Sequence, residues 1–202
     1  MDIAPMNDSS VKIKPVLVMV RGLPGSGKSF LALELQKSIG INNVVVLDPD
    51  ATDYASNEYS SFSSDLSQQG VDKKLHPYRY LRSRAYSSIE SGKVIIWNQA
   101  FTNQDILHRT IVNLQTFASE HGIELTPLII EVEIDSNIAK ERVATRTEQG
   151  GHDVSDETFE RFINDYSSFS GKDYELIVVN GSDDISKSAS NVKIVIDRLR
   201  KS

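Results

Sequence analysis

Gly22-Leu23-Pro24-Gly25-Ser26-Gly27-Lys28-Ser29 decides the fold of this 202-residue chain. The octet fits the pattern G-x-x-x-x-G-K-[ST], and its flanks supply the context that pattern needs. Ahead of it, Val16-Leu17-Val18-Met19-Val20 is a short apolar run that predicts a buried parallel strand. Behind it, Phe30-Leu31-Ala32-Leu33-Glu34-Leu35-Gln36-Lys37 combines helix formers with apolar residues at helical spacing, and Gly40 ends it. The glycines let successive N–H groups turn inward on an anion, and the helix adds its positive end at the same spot. In this pattern the lysine, Lys28, reaches the β- and γ-phosphates, while the Ser29 hydroxyl ligates Mg²⁺. The octet, with Phe30 directly behind it, is therefore expected to bind a nucleoside triphosphate, ATP or GTP.

The length suits one domain with a full core. Hydrophobic residues make up 39% and charged residues 25%, ordinary for a soluble globular chain. No apolar run approaches the roughly 18 residues of a membrane span, so no membrane partner is expected. Residues 1–15 are polar and lack an apolar signal core, which reads as a flexible tail ahead of a single domain at 16–202. The chain has no cysteine, which excludes disulfides and thiolate metal sites and suits the reducing cytoplasm. A net charge of −6 gives no general attraction to nucleic acid, which would need a local basic patch.

Apolar strand candidates at 16–20, 44–47, 94–97, 128–134 and 176–179 alternate with helix candidates. The helices are expected at 28–39, 77–91, 104–121, 137–147, 155–168 and 185–200. Such alternation predicts an α/β fold, a parallel sheet between helical layers, with ligands at the carboxyl ends of the strands. Two segments interrupt it. The serine-rich stretch 56–70 reads as a solvated linker, with a mobile helix or loop over the site as the alternative. Gly150-Gly151 reads as a hinge beneath a lid near 142–155, or else as an ordinary turn between helices.

Carboxylates follow the second strand in Leu47-Asp48-Pro49-Asp50-Ala51-Thr52-Asp53, a strand expected to neighbour that of the phosphate loop. There one carboxylate of the pair Asp48 and Asp50 can take the proton of an attacking hydroxyl, and the other can help fix Mg²⁺. Asp-Pro-Asp is also common turn chemistry. The third strand ends at Asn98, where many triphosphatases carry a metal-binding acid, so the metal burden shifts to Ser29 and the aspartates. Trp97 reads as core. Arg142 and Arg146, four apart, share a helix face and could close over a triphosphate. Pairing with Glu141, Glu148 or Asp153 is the alternative. Lys73, Lys74, His76, Arg79, Arg82 and Arg84 run with no acid between them, which suggests an anionic acceptor or a solvated helix face. His108 and His121 lack metal-ligand spacing and read as structural, whereas His152 lies beside the expected lid. Glu131 and Glu133, alternating with Ile130, Val132 and Ile134, read as the exposed side of an edge strand.

With these residues in place, the chain resembles the zeta-toxin and polynucleotide-kinase-like group of small P-loop kinases from about residue 16 to 166. The likeness rests on Gly-Leu-Pro-Gly-Ser-Gly-Lys-Ser, on Val-Leu-Asp-Pro-Asp, on His-Pro-Tyr with nearby Arg82, and on the segment bearing Arg142 and Arg146. It implies a three-layer α/β/α P-loop NTPase fold with a central five-stranded, mostly parallel sheet. It also implies that Asp50 accepts the acceptor's proton, that Asp48 is the preceding acid, and that Arg142 is a lid arginine on the phosphates. Two positions depart from the group. Asn98 stands where zeta toxins carry an acid that helps hold a nucleotide-sugar acceptor, and Gly151-His152-Asp153 stands near a second lid arginine. Arg146 and His152 are the candidates to substitute for the latter.

The expectation is an ATP- and Mg²⁺-dependent phosphotransferase. It would act on a hydroxyl of a small anionic molecule held near Arg79, Arg82 and Asn98. Catalysis would fall to Lys28, Asp50, Arg142 and Arg146. A nucleic-acid or nucleoside 5′-kinase is the enzymatic alternative, and a nucleotide-dependent switch the alternative of another class. A switch needs no acceptor base, so the aspartates favour a kinase.

Overall fold

Strands β1 (Val16–Arg21), β2 (Val44–Leu47), β3 (Val94–Asn98), β4 (Thr126–Glu133) and β5 (Glu175–Asn180) form one sheet in the order β2-β3-β1-β4-β5. Every pairing is parallel. The computed structural model describes residues 13–149, 154–171 and 173–202. The helices are α1 (Lys28–Ile39), α2 (Asn57–Gln68), α3 (His76–Glu90), α4 (Gln104–Glu120), α5 (Ser136–Glu148), α6 (Asp156–Asp165) and α7 (Ile185–Leu199).

Alternate residues of β1 serve opposite faces, as a pleated strand requires. Val16, Val18 and Val20 pack with Leu31 and Leu35 of α1 and with Val192 and Ile196 of α7. Leu17 and Met19 pack with Leu81 and Ile89 of α3 and with Leu107, Ile111 and Leu114 of α4. Both faces of the central strand are therefore covered, which is why its sequence is continuously apolar. Each such side chain contributes about 1.5–3 kcal/mol on burial. Ala139, Val143 and Phe159 form a smaller cluster between α5 and α6.

Three expectations change. First, β2 pairs with β3 and not with β1, in the register Leu47↔Trp97. Its half-buried Val45 and Val46 suit the sheet's edge, while the fully buried β1 takes the centre. Second, β4 is an interior strand between β1 and β5, so Glu131 is buried, and only Glu133 beyond it is exposed. Third, the serine-rich stretch is helix α2. The Ser56 hydroxyl caps it by accepting from Tyr59 N at 3.3 Å, and Tyr59, Phe62 and Leu66 recur at helical spacing. Tyr59 and Phe62 meet Tyr80 of α3 edge-on, with ring centroids 5.3 and 5.4 Å away.

Helix α6 stops at Asp165, three residues earlier than its pattern suggested, because Tyr166 turns extended (φ −82°, ψ 128°). The expected hinge Gly150-Gly151, with His152 and Asp153, lies outside the described residues. Just before β1, Lys14 N donates to Arg200 O at 3.1 Å, and its ammonium pairs with Glu124 at 2.6 Å. No helix among the described residues is long and apolar enough to cross a membrane.

Candidate phosphate-binding site

The loop leaves the carboxyl end of β1 and closes into α1 at Lys28. Gly25 has φ 81°, and a Cβ there would lie 2.3 Å from Ala139 O, so both its backbone and its lack of side chain are required. α1 has no side-chain cap and no acid in its first turn, which leaves its positive end for an anion.

A cavity of about 880 Å³ opens over this helix end. Pro24, Gly25, Gly27, Lys28, Ser29 and Phe30 line it from the loop. Asp48, Asp50 and Ala51 line it from the end of β2, and Asn98, Gln99 and Ala100 from the end of β3. Arg142 and Arg146 of α5 and Val154, Ser155, Thr158 and Phe162 around α6 complete it. Gly22, Leu23 and Ser26 do not line it; they form the inner side of the loop, where the buried Ser26 hydroxyl has no hydrogen-bond partner among the described residues. A second cavity, about 870 Å³, runs along β5 and α7 and contains neither Lys28 nor Asp48 nor Asp50.

Sheet register assembles the oxygen cluster. Val20↔Asn98 and Leu47↔Trp97 bring the ends of β1, β3 and β2 level. The Asn98 amide nitrogen then donates both to Ser29 Oγ at 3.0 Å and to Asp48 Oδ2 at 2.6 Å. Asp48 Oδ1 accepts from Asp50 N at 2.8 Å, so one aspartate fixes the turn that carries the other. Buried Asn98 Oδ1 has no hydrogen-bond partner among the described residues. A hydroxyl and a carboxylate bridged by one amide, facing a phosphate cradle, fit Mg²⁺, which takes few protein ligands and completes its shell with phosphate and water. Ser29 and Asp48 are the residues that would hold it.

Lys28 Nζ donates to Leu23 O at 2.8 Å. Burial pulls its pKa down to about 8, against the opposing pull of Asp48 and Asp50, and Arg146 acts in the same direction as burial. Arg142 Nη1 donates to Gly181 O at 2.9 Å, tying α5 to the turn between β5 and α7. That turn touches the loop, since a Cβ on Gly181 would meet Ser26 O at 2.2 Å. Gly181→Ala is accordingly expected to cost about 1–3 kcal/mol by overpacking, seen as a lower denaturation midpoint in urea. A midpoint unchanged from wild type would show that the turn yields freely.

The sequence reading passed over Arg21 and put Glu131 on an exposed edge, although the two are opposite charges at paired register on neighbouring strands. Both are buried (0% and 1% exposed) and joined at 2.9 Å. Tyr166 OH donates to Glu131 Oε1 at 2.7 Å, and burial followed by this bond pushes its pKa up. The signal available was a lone arginine closing an otherwise apolar strand.

The basic cluster at 73–84 does not line the loop cavity. His76 is buried, with Ser63 Oγ at 2.8 Å from Nδ1 and Val71 O at 3.0 Å from Nε2. Arg84 lies over the Tyr80 ring at 5.9 Å. Neither Arg79 nor Arg82 lines the loop cavity, so of the expected acceptor neighbours Asn98 alone is there. Arg79 and Arg82, three apart on α3, share one side of that helix, and the side is not one that lines this cavity. His108 bonds Tyr174 OH at 2.6 Å and His121 bonds Phe117 O at 2.8 Å, in line with structural roles.

The parallel sheet, with this loop between its central strand and a helix, is a P-loop NTPase fold. The chain belongs to the AAA domain family, whose model matches residues 17–168. No curated protein is a match for it. Among solved structures it is similar to a provisionally assigned kinase from Chloroflexus aurantiacus, at 19% identity and TM-score 0.60, covering 90% of this chain and 98% of that one. It is also similar to a gluconokinase from Sinorhizobium meliloti 1021, at 13% identity and TM-score 0.54, covering 94% of each chain. An APS kinase from Mycobacterium tuberculosis, in complex with AMPPNP and APS, is similar at 14% identity and TM-score 0.55, covering 92% and 99%. At these identities the likeness is one of fold.

Proposed function

We propose that the chain is an ATP-dependent kinase that transfers the γ-phosphoryl group to a hydroxyl of a small molecule. One observation carries this reading: Lys28, Ser29, Asp48, Asp50, Arg142 and Arg146 all line a single cavity. A phosphate cradle alone suits a switch, whereas a cradle sharing its cavity with a free-standing carboxylate suits transfer to an acceptor. The kinases of similar fold and the resemblance to the zeta-toxin and polynucleotide-kinase-like group support the same choice.

In this proposal the loop amides and Lys28 hold the β- and γ-phosphates. Bound Mg²⁺ neutralises charge on those phosphates and is held by Ser29 and Asp48. Asp50 accepts the proton as the acceptor oxygen bonds to γ-phosphorus and the bond to the ADP oxygen breaks. Lys28, Arg142 and Arg146 meet the charge that develops on the transferring group and on ADP. An anionic group on the acceptor would be met by these same arginines. Nucleic acid is a weaker candidate, because the chain is acidic and its basic segment at 73–84 does not line the cavity.

Incubation with γ-labelled ATP, Mg²⁺ and a panel of small hydroxyl compounds is expected to yield a labelled organic phosphate. Label appearing only as inorganic phosphate across the panel would refute the kinase reading in favour of a hydrolysing switch. Lys28 adds a pH signature. Its ammonium is charged below pH about 8 and neutral above it in the free protein. Phosphate binding favours the charged form, so above that pH binding must take up a proton. Affinity for Mg·AMPPNP is expected to fall, by at most about tenfold per pH unit, from pH about 8 upward. In Lys28→Met the same titration by calorimetry should be flat over that range.

A further inference from the structure

After α6 the chain runs through residues 166–170 without regular secondary structure. Such a strap must find partners for its backbone N–H and C=O groups. Three side chains from the sheet and α4 supply them. Arg21 Nη2 donates to Ser167 O at 2.8 Å, and Glu131 Oε2 accepts from Phe169 N at 2.9 Å. Gln104 Nε2 donates to Ser168 O at 3.0 Å, and its Oε1 accepts from Ser170 N at 3.4 Å. The Arg21 guanidinium also lies 4.5 Å from the centre of the Tyr166 ring.

An apolar core could hold the strap's side chains as firmly as this buried ion pair. It could not select one backbone position, which a rigid five-donor fork does. The same fork reaches Phe101 O at 3.3 Å, just past the Asn98–Ala100 wall of the cavity, at a non-glycine residue with φ 46°. Arg21 is covalently next to Gly22, the first residue of the phosphate loop. One guanidinium thus joins the root of the loop, the turn after β3 and the strap. At the other end of the strap, α6 contributes Thr158 and Phe162 to the cavity.

We infer that Arg21, Glu131 and Gln104 are positioning residues that fix the strap so that α6 stands as the far wall of the nucleotide cavity, in register with the phosphate loop. This rests on the nucleotide reading of that cavity. Arg21→Lys keeps a charge beside Glu131 and loses the fork, whereas Gln104→Leu removes strap bonds without touching the ion pair. For each variant, amide hydrogen exchange at Phe169 and Ser170 is measured with the thermal midpoint and the Kd for Mg·AMPPNP. Gln104→Leu should keep its thermal midpoint within a few degrees, speed exchange at Ser170, and raise the Kd about tenfold, because a slightly misplaced wall forfeits positioned contacts. Arg21→Lys should do the same at both amides; if it does not fold, Gln104→Leu decides.

A merely structural role would lower the midpoint and leave the Kd of folded protein unchanged. Faster strap exchange with a Kd within twofold of wild type would overturn the inference. So would a raised Kd with unchanged exchange, since the effect would then bypass the strap. Wild-type protein that fails to bind Mg·AMPPNP would instead overturn the nucleotide reading, before any variant is made.

Discussion

Asp50→Asn is expected to slow phosphoryl transfer by roughly 10²–10⁴-fold, the usual contribution of a positioned general base. Binding of Mg·AMPPNP at pH 7 should stay within about twofold of wild type, because the removed charge does not contact the phosphate cradle's amides. The fold should survive as well. The Asp50 carboxylate is exposed and has no hydrogen-bond or ion-pair partner among the described residues, while the turn is held by its backbone N–H on Asp48. Measuring pH 7 matters because Asp50 helps keep Lys28 protonated, and its loss moves that titration lower. Steady-state kinetics with an accepted hydroxyl substrate, beside calorimetry with the analogue, separate the two effects. Turnover equal to wild type would remove Asp50 from the mechanism and leave Asp48 as the remaining carboxylate in reach.

Glu131→Ala is expected to destabilise the protein by about 3–5 kcal/mol, because it strands the Arg21 charge in a fully buried position. That is a large part of the roughly 5–15 kcal/mol a domain commonly has. Replacing both partners by Met should recover only part of the loss, because it removes the stranded charge but leaves Ser167 O, Phe169 N and the Tyr166 hydroxyl without these partners. Urea denaturation of the two single variants and the double variant measures the cycle. A Glu131→Ala cost below about 1 kcal/mol, the range of exposed pairs, would mean that water reaches the pair.

The loop, the strands and most helices could be read from the chain because each leaves a local pattern, either a continuous apolar run or a helical period. Sheet order could not. Whether β2 or β3 lies beside β1 is set by how the crossovers pack, and nothing within Val44–Leu47 records it. Glu131 shows the same limit at the level of one residue. Alternation of Ile130, Glu131, Val132 and Glu133 looks alike on an edge strand and on an interior strand with a buried ion pair. The partner that settles it lies 110 residues away. In α2 the serines masked the apolar spacing of Tyr59, Phe62 and Leu66, which was there to be seen. Within the candidate site, Lys28 and Ser29 follow from the motif alone. The link from Ser29 through Asn98 to Asp48 needed three strands in register.

Asn98 has an electrical consequence. With an uncharged amide closing β3, Asp48 and Asp50 supply the fixed negative charge beside Ser29, and no group of three acidic or histidine residues among the described residues could hold a metal. On the kinase reading, a divalent cation would find few ligands on the protein and would take the rest from water and the triphosphate it accompanies. Cation and nucleotide then bind as one salt with one equilibrium. A fall in free magnesium would reach this protein as a shortage of the loaded salt, and the protein alone would be indifferent to it.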